Sequence, residues 1–408
     1  MEQEDFINRV EQAGGTVYLV GGWVRDHLRG VKPQDKDFVI TGMEREAFVQ
    51  LFPTASLIGH AFPVYLVEID GIRSEVAFAR REKKTGCGYH GFAVDFGAEV
   101  TIEEDLFRRD TRINSMAYRL PDMQLIDPYG GRDDIAHRLI CATSHHFSED
   151  PVRALRAARQ AAELGFAIDD RTRELMADCA VELAEEPKDR IMHELSRALA
   201  APQPSLFFEA LARAELLRSV FPEIFALQGK TQPLEHHPEG DAFCHTMQIV
   251  DAVARKTPSL EARFAALAHD IGKGETSEAI LPHHYGHERR GLDVLEAWNE
   301  RMTLPKSWLL AARFVIKEHM RAPFLKKTGK IVDLLLAVEK SGLSFPEFLC
   351  IICADHGSLP PYLARGEELS RKLRQVHGSE APLGLHGAAV GLWLRETRAR
   401  LLGKLLSM

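Results

Sequence analysis

Residues 19–30 read LVGGWVRDHLRG, and Asp35–Lys36–Asp37 follows shortly after them. The apolar run before Gly21 and Gly22 predicts a strand, and the residues after the two glycines predict a helix. Glycines at such a turn let backbone amides approach a phosphate group without a side-chain clash. Arg25, within the first turn of the helix, is expected to reach the same phosphate oxygens. The stretch therefore predicts a phosphate-binding turn in an α/β domain, with Gly22 and Arg25 as ligands.

Two carboxylates follow this turn. Asp35 and Asp37 are two residues apart at the start of a predicted strand, residues 37–41. Alternate residues of a strand face the same side, so both carboxylates are expected on one face. Either feature alone is more typical of an ordinary turn or a solvated strand edge. Together, and in this order, they favour a phosphoryl-transfer site in which Asp35 and Asp37 bind Mg²⁺.

Further short runs have strand character, and most of the remaining chain has helical periodicity. Strands are predicted at residues 17–20, 64–69 and 73–79, and RREKKTGCGYHGF (80–92) has the charge and glycine content of a mobile loop. From about residue 102 onward the pattern is almost entirely helical. The segment 228–244, rich in glycine, proline and histidine, has the composition of a connection between domains.

Two more motifs complete a resemblance. RRDTRINSMAY (108–118) and EDPVRALRAAR (149–159) follow the glycine turn and the paired carboxylates in order. With them the chain resembles the class II tRNA nucleotidyltransferases and bacterial poly(A) polymerases, whose head has a polymerase-beta-like fold. Arg112 departs from the family pattern, which has threonine there. The resemblance implies template-independent addition of C, C and A to the 3′ end of tRNA from CTP and ATP.

The resemblance also implies residue roles. Arg109 and Asp110 would hold the phosphates and sugar of the incoming nucleotide, although an isolated pair of this kind is usually a surface ion pair. Asp150 and Arg153 would select the base through their acceptors and donors, whereas the plain alternative for Asp150 is a helix N-cap before proline. The same helix places Arg156 and Arg159 near the nucleotide; the alternative is a solvated basic face. These residues form the predicted nucleotide-binding set with Gly22 and Arg25.

Two segments bear on which nucleotides are added. In the family, an intact flexible loop between the head motifs supports the change from adding C to adding A, and residues 80–92 match its full-length form. Poly(A) polymerases of this class usually carry a long basic C-terminal extension, which this sequence does not show. Complete CCA addition is therefore expected, and a poly(A) polymerase or an enzyme adding only A is the alternative.

A second set of residues indicates another site. His245, His269–Asp270 and Asp355 have the order H…HD…D, and FAALAHDIGKG (264–274) resembles the HD phosphohydrolase superfamily. Imidazoles and carboxylates on separate helices can bind a divalent transition metal, with Ni²⁺, Co²⁺ and Mn²⁺ as candidates, and leave positions for water. Single core or capping histidines are the alternative. Further histidines in LPHHYGHERRG (281–291) and KEHM (317–320) could not be assigned.

The fold class follows from these parts: an α/β nucleotidyltransferase head of the polymerase-beta-like type, followed by all-α neck, body and HD domains. Four domains are predicted along the chain: a head at 1–140, a helical neck and body at 141–230, an HD phosphohydrolase domain at 231–360 and a helical tail at 361–408. The resemblance implies that the HD domain has phosphatase, 2′-nucleotidase and 2′,3′-cyclic phosphodiesterase activity.

Bulk composition narrows the partners. The 408 residues carry a formal net charge of −8, which disfavours non-specific coating of nucleic acid but allows tRNA binding through a local basic face. No long apolar run predicts a membrane span, and six scattered cysteines are typical of reduced thiols in a cytoplasmic protein. A monomer or homodimer is expected. A hydrolase with a head that only binds, and a non-catalytic RNA-binding protein, are the less favoured alternatives.

Overall fold

The computed structural model describes residues 1–33, 35–58, 63–86, 91–235 and 238–407. The chain folds into two compact units. Unit 1 consists of Met1–Ile191 and Glu209–Val220, and unit 2 consists of Met192–Phe208 and Phe221–Met408. The four-part division expected from the sequence stays a prediction.

Unit 1 is built on a seven-stranded mixed sheet in the order β3-β4-β5-β2-β1-β8-β9. Its strands and the two smaller pairs are β1 (Thr16–Val20), β2 (Asp37–Thr41), β3 (Ser56–Ile58), β4 (Val64–Ile69), β5 (Ile72–Phe78), β6 (Arg81–Lys84), β7 (Phe92–Asp95), β8 (Ala117–Arg119), β9 (Gln124–Ile126), β10 (Leu139–Ile140) and β11 (Ala167–Ile168). The helices that lie wholly in this unit are α1 (Gln3–Gln12), α2 (Gly22–Leu28), α3 (Arg45–Leu51), α4 (Ile102–Phe107), α5 (Gly131–His137), α6 (Val152–Leu164), α7 (Asp170–Ala177), α8 (Ala180–Ala184) and α11 (Leu217–Val220). Two helices contribute residues to both units, α9 (Lys188–Ala200) and α10 (Ser205–Arg213).

The sheet has apolar cores on both faces. Val17 and Leu19 of β1 belong to one buried cluster, whereas Tyr18 and Val20 belong to another. This alternation follows from the two-residue period of a strand, and continuous apolar sequence marks a strand that is covered on both sides. Because β1 lies between β2 and β8, its carboxyl end and the turn after it lie in the middle of the sheet.

Two parts of the predicted organisation are corrected. The region after residue 102 was expected to be almost wholly helical, but β8 and β9 lie within it and pair next to β1. Their three-residue length is too short to show a two-residue period, which explains the error. The segment 80–92 was expected to be a loop, yet β6 and β7 form an antiparallel hairpin at its base. Residues 87–90, within that segment, lie outside the described residues.

Unit 2 is helical in the residues described. Its helices are α12 (Pro222–Phe225), α13 (Ala242–Ala254), α14 (Leu260–Ala268), α15 (His287–Met302), α16 (Lys306–Glu318), α17 (Thr328–Ala337), α18 (Phe345–His356), α19 (Pro361–Ala364), α20 (Gly366–Arg374) and α21 (Ala388–Leu406). The residues of α14 from Ala262 to Ala268 are all buried, which is the pattern of a central helix. No helix in the described part of the chain combines the length and apolar character that a bilayer crossing requires.

Candidate active sites

The turn between β1 and α2 requires a glycine at Gly21. Its φ of 66° and ψ of −132° lie in a region that side chains strongly disfavour. A Cβ at this position would lie 3.4 Å from Nη1 of Arg109. Gly22 has helical backbone, and a Cβ there would make an ordinary contact, 3.6 Å from Nη2 of Arg25. The conformational requirement therefore falls on Gly21, one residue before the glycine chosen from the sequence.

Replacing Gly21 by alanine is expected to destabilise the protein by about 1–3 kcal/mol, the usual cost of forcing a side chain into such a backbone region. The new methyl group would also contact Arg109 where the phosphate is expected to bind, so nucleotide addition should fall more than stability alone explains. Thermal melting and addition assays on the same preparation measure both effects. Gly22→Ala is the matched control because its backbone is already helical. Equal effects from the two substitutions would contradict the assignment.

The paired carboxylates differ in their surroundings. β2 begins at Asp37, and Asp35 is exposed in the segment before the strand, so only Asp37 lies on the strand that was expected to carry both. Asp37 lies opposite Glu75 of β5 in the parallel pair. Burial, with the added negative charges of Glu75 and Asp35, raises the pKa of Asp37 to about 6, and Arg109 opposes this rise. Asp37 therefore lies in a concentration of negative charge that a bound cation would relieve.

Glu75 is a site residue that the sequence analysis missed. It lies in the segment predicted as a strand, but nothing in the pattern shows which residue lies across from Asp37. The register of β2 against β5, Asp37 with Glu75, provides this information. Glu75 is exposed, so its carboxylate is accessible from the same edge as that of Asp37.

Arg108 and Arg109 are held by one buried carboxylate. Nε and Nη2 of Arg109 lie 3.2 and 2.9 Å from Asp105, and Arg108 donates to the other oxygen of Asp105 at 2.6 and 3.1 Å. Burial raises the pKa of Asp105, but the two guanidinium groups outweigh it and hold the pKa well below its usual range. The carboxylate is therefore ionised and fixes Arg109 against the Gly21 turn. This position suits a guanidinium that binds nucleotide phosphates.

Asp110 is buried rather than open to a ligand. One oxygen accepts from Nε of Arg156 at 2.8 Å and from Gln160 at 3.3 Å. The other oxygen accepts from the backbone N–H of Thr111 at 2.8 Å and from Asn114 at 3.3 Å. Although burial opposes it, Arg156 holds the pKa of Asp110 well below its ordinary range. In this structure the carboxylate orients its neighbours, and the sugar contact expected of it stays a prediction.

Asn114 extends this network to α2. Its side-chain oxygen accepts from Nη1 of Arg25 at 3.0 Å, while Arg25 also donates to Asp26 through Nε and Nη2. Arg25 is thus positioned beside the glycine turn by two partners. The hydrogen bonds from Arg156 through Asp110 and Asn114 to Arg25 connect α6 with α2.

The two residues expected to select the base are each held by an opposite charge or a backbone acceptor. Asp150 accepts from Nη2 of Arg190 at 3.0 and 2.8 Å. Arg153 is 7% exposed and donates to the backbone oxygen of His146 at 2.6 Å. The N–H of Val152, where α6 begins, donates to Asp150 at 3.2 Å, although Pro151 and not Asp150 is the residue directly before the helix.

The later arginines of α6 have separate partners. Arg156 is half-buried and bonded to Asp110, and Arg159 is buried and donates to Glu163 at 2.6 Å. Contact of these arginines with a nucleotide stays a prediction. What the structure shows is that each guanidinium has a fixed direction.

The second site is inside unit 2. The ligand atoms of His245, His269 and Asp270 lie within 4.8 Å of one another. Nε2 of His245 is also 3.1 Å from Asp355. All four residues chosen from the sequence thus come together, although they lie on or directly after three different helices, α13, α14 and α18.

Two of the unassigned histidines join this cluster. Nε2 of His287 is 3.2 Å, and Nε2 of His319 is 3.3 Å, from Oδ1 of Asp270. These three residues form a second group of potential ligand atoms within 4.8 Å of one another. His284 instead bonds to Thr276 and to the backbone of residue 231. Sequence spacing could not separate His287 from its neighbours, because the first turn of α15 brings only this one to Asp270.

The imidazoles are all oriented in the same way. In each case Nδ1 is within hydrogen-bond distance of an acceptor and Nε2 faces the carboxylates. The acceptors are Glu239 at 2.6 Å for His245, the Ala266 carbonyl at 2.7 Å for His269, the His284 carbonyl at 2.8 Å for His287, and the Val315 and Ile316 carbonyls at 3.0 Å for His319. An N–H donated from Nδ1 leaves the lone pair of a neutral imidazole on Nε2, as metal ligands require.

The chemistry of this donor set fits a divalent cation. Among the described residues, Nε2 of His269, both side-chain oxygens of Asp270 and Oδ2 of Asp355 are buried and lack a hydrogen bond of good geometry, although charged groups lie close to them. Such atoms cost free energy unless something satisfies them. Lys273 is buried and its Nζ lies 2.5 Å from Oδ2 of Asp270 and from Gln232. Burial opposes it, but His269 and Lys273 hold the pKa of Asp270 well below its usual range.

Three family models match successive parts of the chain. The poly A polymerase head domain matches residues 17–141, and a model described as the probable RNA and SrmB-binding site of polymerase A matches residues 165–227. The HD domain matches residues 242–345. The glycine turn, the paired carboxylates and Arg109 lie in the first matched region, and His245, His269, Asp270, His287 and His319 lie in the third. Residues 150–159, which carry the expected base-selecting pair, and Asp355 lie outside the three matched regions.

Curated relatives match nearly the whole chain. The multifunctional CCA proteins of Nitrosococcus oceani and Thioalkalivibrio sulfidiphilus are each 37% identical to it, over 94% and 95% of this chain and 97% and 98% of their own lengths. The multifunctional CCA protein of Cupriavidus metallidurans is 42% identical over 74% of both chains.

Solved structures share the fold. The Bacillus stearothermophilus CCA-adding enzyme in complex with CTP has a TM-score of 0.67 at 24% identity, covering 98% of this chain and 91% of that one. The Thermotoga maritima CCA-adding enzyme complexed with tRNA has a TM-score of 0.60 at 20% identity, covering 97% and 89%.

Proposed function

The chain belongs to the family of multifunctional CCA proteins, and we propose on this basis that it adds C, C and A to the 3′ end of tRNA from CTP and ATP. The observation that carries the proposal for this site is the position of Asp37. It lies across from Glu75, and Arg109 lies against the adjacent Gly21 turn. Paired carboxylates beside a fixed guanidinium and a glycine turn are what nucleotidyl transfer requires.

In the proposed reaction, the 3′-oxygen of the tRNA forms a bond to the α-phosphorus of the nucleotide, and the bond from that phosphorus to the leaving pyrophosphate breaks. Asp35, Asp37 and Glu75 would hold Mg²⁺, which neutralises phosphate charge when bound. Arg109, fixed by Asp105, binds phosphate oxygens at the Gly21 turn. Arg25 approaches the same turn from α2.

Asp150 and Arg153 are proposed to select the base. A carboxylate offers only acceptors and a guanidinium offers only donors in a fixed plane, so the pair can match one base edge and leave another unsatisfied. The proposal is supported by the way both side chains are held, Asp150 by Arg190 and Arg153 by the His146 carbonyl. Arg156 and Arg159 are proposed to contact the nucleotide from the same helix.

The defining test uses tRNA transcripts that end before C, after C and after CC, each with the four nucleoside triphosphates separately. Addition of C to the first two transcripts and of A to the third supports complete CCA addition. Addition of A alone would indicate the A-adding alternative, and repeated addition of A would indicate a poly(A) polymerase. No addition to any transcript would overturn the proposal.

For unit 2 we propose a metal-dependent phosphohydrolase that acts on 2′,3′-cyclic nucleotides, 2′-nucleotides and related phosphoesters. The supporting observation is a buried donor set whose imidazoles are oriented for metal binding. A divalent transition metal, Ni²⁺, Co²⁺ or Mn²⁺, would polarise the phosphoester and activate water when bound. An enzyme acting on tRNA is consistent with a cytoplasmic location, and either a monomer or a homodimer would suffice.

The donor atoms are arranged around Asp270 in two groups. One consists of His245, His269 and Asp270 with Asp355 beside it, and the other consists of Asp270, His287 and His319. Different oxygens of Asp270 face them, since His269 is 3.2 Å from Oδ2 and His287 is 3.2 Å from Oδ1. This division supports a carboxylate shared by two cations rather than one ion bound by six ligands.

Removing both His287 and His319 is expected to reduce the metal content from about two ions per chain to about one, because the first group keeps all its donors. Metal analysis after equilibration with Mn²⁺ and gel filtration measures this stoichiometry. The control is His284→Ala, since His284 bonds elsewhere. A wild-type content of one ion that the double variant keeps would contradict the shared-carboxylate arrangement.

A further inference from the structure

We infer that Glu82, in the first strand of the β6–β7 hairpin, is a positioning residue for base selection because it sets the place of the Arg153 guanidinium. The inference rests on the proposed role of Arg153. Glu82 would not touch the nucleotide and would act through the arginine alone.

Glu82 is almost completely buried and faces three guanidinium groups. One carboxylate oxygen accepts from Nε of Arg80 and from Nη1 of Arg108, both at 2.8 Å. The other oxygen is 3.6 Å from Nη2 of Arg153. With only 6% of its side chain exposed, Glu82 has little water to replace these contacts. Water therefore screens the attraction between its charge and the arginines only weakly.

The spacing to Arg153 indicates attraction without a hydrogen bond. A separation of 3.6 Å exceeds normal hydrogen-bond length, so Nη2 is drawn toward Glu82 but keeps its donors for another partner. The donor that is used is Nη1, which bonds to the His146 carbonyl at 2.6 Å. Nη1 of Arg153 is thus held by a hydrogen bond, and the position of Nη2 is influenced by the charge of Glu82.

Without Glu82 the balance of charges around Arg153 would shift toward repulsion. Burial and the neighbouring Arg108 already lower the pKa of Arg80 to about 10, which reflects how closely the positive charges are crowded. Asp105 offsets Arg108 and Arg109, but the structure shows no contact from it to Arg153. Loss of the Glu82 charge removes one of three carboxylates that attract Arg153, and leaves Asp150 and Asp110 against the repulsion from Arg108.

The hairpin is tied to the same region by a second contact on the same strand face. Glu82 and Lys84 are two residues apart on β6, and Lys84 donates to both oxygens of Glu182 of α8 at 2.8 Å. This contact also joins the hairpin to the helices, but it does not involve Arg153. Glu182 therefore provides a matched control for a change at Glu82.

The other half of the proposed base-selecting pair is held from the opposite direction. Asp150 is bonded to Arg190 of α9, which also donates to Glu186 at 2.8 Å. Arg190 holds the acceptor and Glu82 attracts the donor, so each member of the pair has a partner outside the pair. A shift of either by about 1 Å is enough to lose a base contact while phosphate binding persists.

The test compares Glu82→Gln, which keeps the shape and removes the charge, with Glu182→Gln. Addition of all four nucleoside triphosphates to tRNA ending in CC is measured under single-turnover conditions for wild type and both variants. Glu82→Gln is expected to reduce the preference for ATP over the other nucleotides by about tenfold or more, the effect of losing one oriented base contact. Glu182→Gln should keep the wild-type preference, and thermal melting verifies that each variant is folded.

Two further variants distinguish positioning from general damage. Glu82→Asp keeps the charge and should retain most of the selectivity. Glu82→Gln combined with Arg153→Ala should be no less selective than Arg153→Ala alone, because Glu82 acts only through that arginine. If Glu82→Gln lowers the rates of addition of ATP and of the other nucleotides by the same factor, so that the ratio of these rates is unchanged, the inference is overturned. If wild type adds no nucleotide, the proposed function itself fails, which is a different result.

Discussion

Replacing Asp37 by asparagine is expected to abolish nucleotide addition and, at the same time, to make the protein more stable above pH 6. Activity is lost because the amide cannot replace a charged metal ligand at the centre of the site. Stability rises because the wild-type carboxylate is ionised where burial and Glu75 disfavour its charge. Opposite changes in activity and stability are typical of residues selected for function.

The pH dependence of this effect follows from its sign. The pKa of Asp37 is raised from 3.8 to about 6 on folding, so its stabilising contribution is complete below pH 3.8 and is lost as the pH rises through 6. The shift of about two units corresponds to roughly 2–3 kcal/mol. Thermal melting without divalent cations should therefore favour the asparagine variant at pH 8, and this advantage should disappear near pH 4.

Asp35→Asn is the matched control. Asp35 is exposed and is the smallest of the causes that raise the pKa of Asp37, so the same substitution should reduce addition with a much smaller gain in stability. Nucleotide addition by Asp37→Asn within about tenfold of wild type, or about 1.4 kcal/mol of barrier, would contradict the proposed role. An identical melting curve at pH 8 would instead contradict the burial of an ionised carboxylate.

Replacing Asp270 by alanine is expected to remove hydrolysis of 2′,3′-cyclic nucleotides and to leave CCA addition nearly unchanged. Asp270 is the only residue shared by the two groups of potential metal ligands in the described residues, so both lose a donor together. The residues proposed for nucleotide addition lie in unit 1, whereas Asp270 lies in unit 2. The two activities should therefore be separable in one preparation.

The measurement follows both activities and the bound metal with Mg²⁺, Mn²⁺, Co²⁺ and Ni²⁺ in turn. Asp293→Ala, a change at an exposed carboxylate of α15, is the control and should retain hydrolysis. Hydrolysis that survives in Asp270→Ala would exclude this site as its source. If wild type hydrolyses nothing with any of the four metals, the catalytic interpretation of unit 2 fails.

The sequence was most informative where the residues that serve one function are close together in the chain. The glycine turn, β2 and the segment around His269 could be predicted because each is a local pattern with a chemical reason. The alignment of β2 with residues 37–41 was correct to the residue, since an apolar run follows directly after Asp37. Such patterns need no knowledge of distant contacts.

What was missed depends on contacts between distant segments. Glu75 becomes relevant only through the pairing of β2 with β5, and β8 and β9 are short strands stabilised by β1. His319 joins the metal cluster because α16 ends beside Asp270. Asp35 was expected to lie on the same strand as Asp37, whereas β2 begins at Asp37 and leaves Asp35 in the segment before it. Strand pairing and helix packing decide these features, and neither can be read from the local sequence pattern.

The acceptors that orient the four imidazoles differ in whether an amino-acid substitution can remove them. His269, His287 and His319 are oriented by main-chain carbonyls, which every amino acid supplies and no point substitution deletes. His245 alone is oriented by a side chain, that of Glu239. Substitutions of the residues that orient His269, His287 and His319 should therefore be tolerated, because the main-chain carbonyl remains. Substitutions of Glu239 should reduce hydrolysis. A saturation library scored for hydrolysis would place the least tolerant outer position at Glu239.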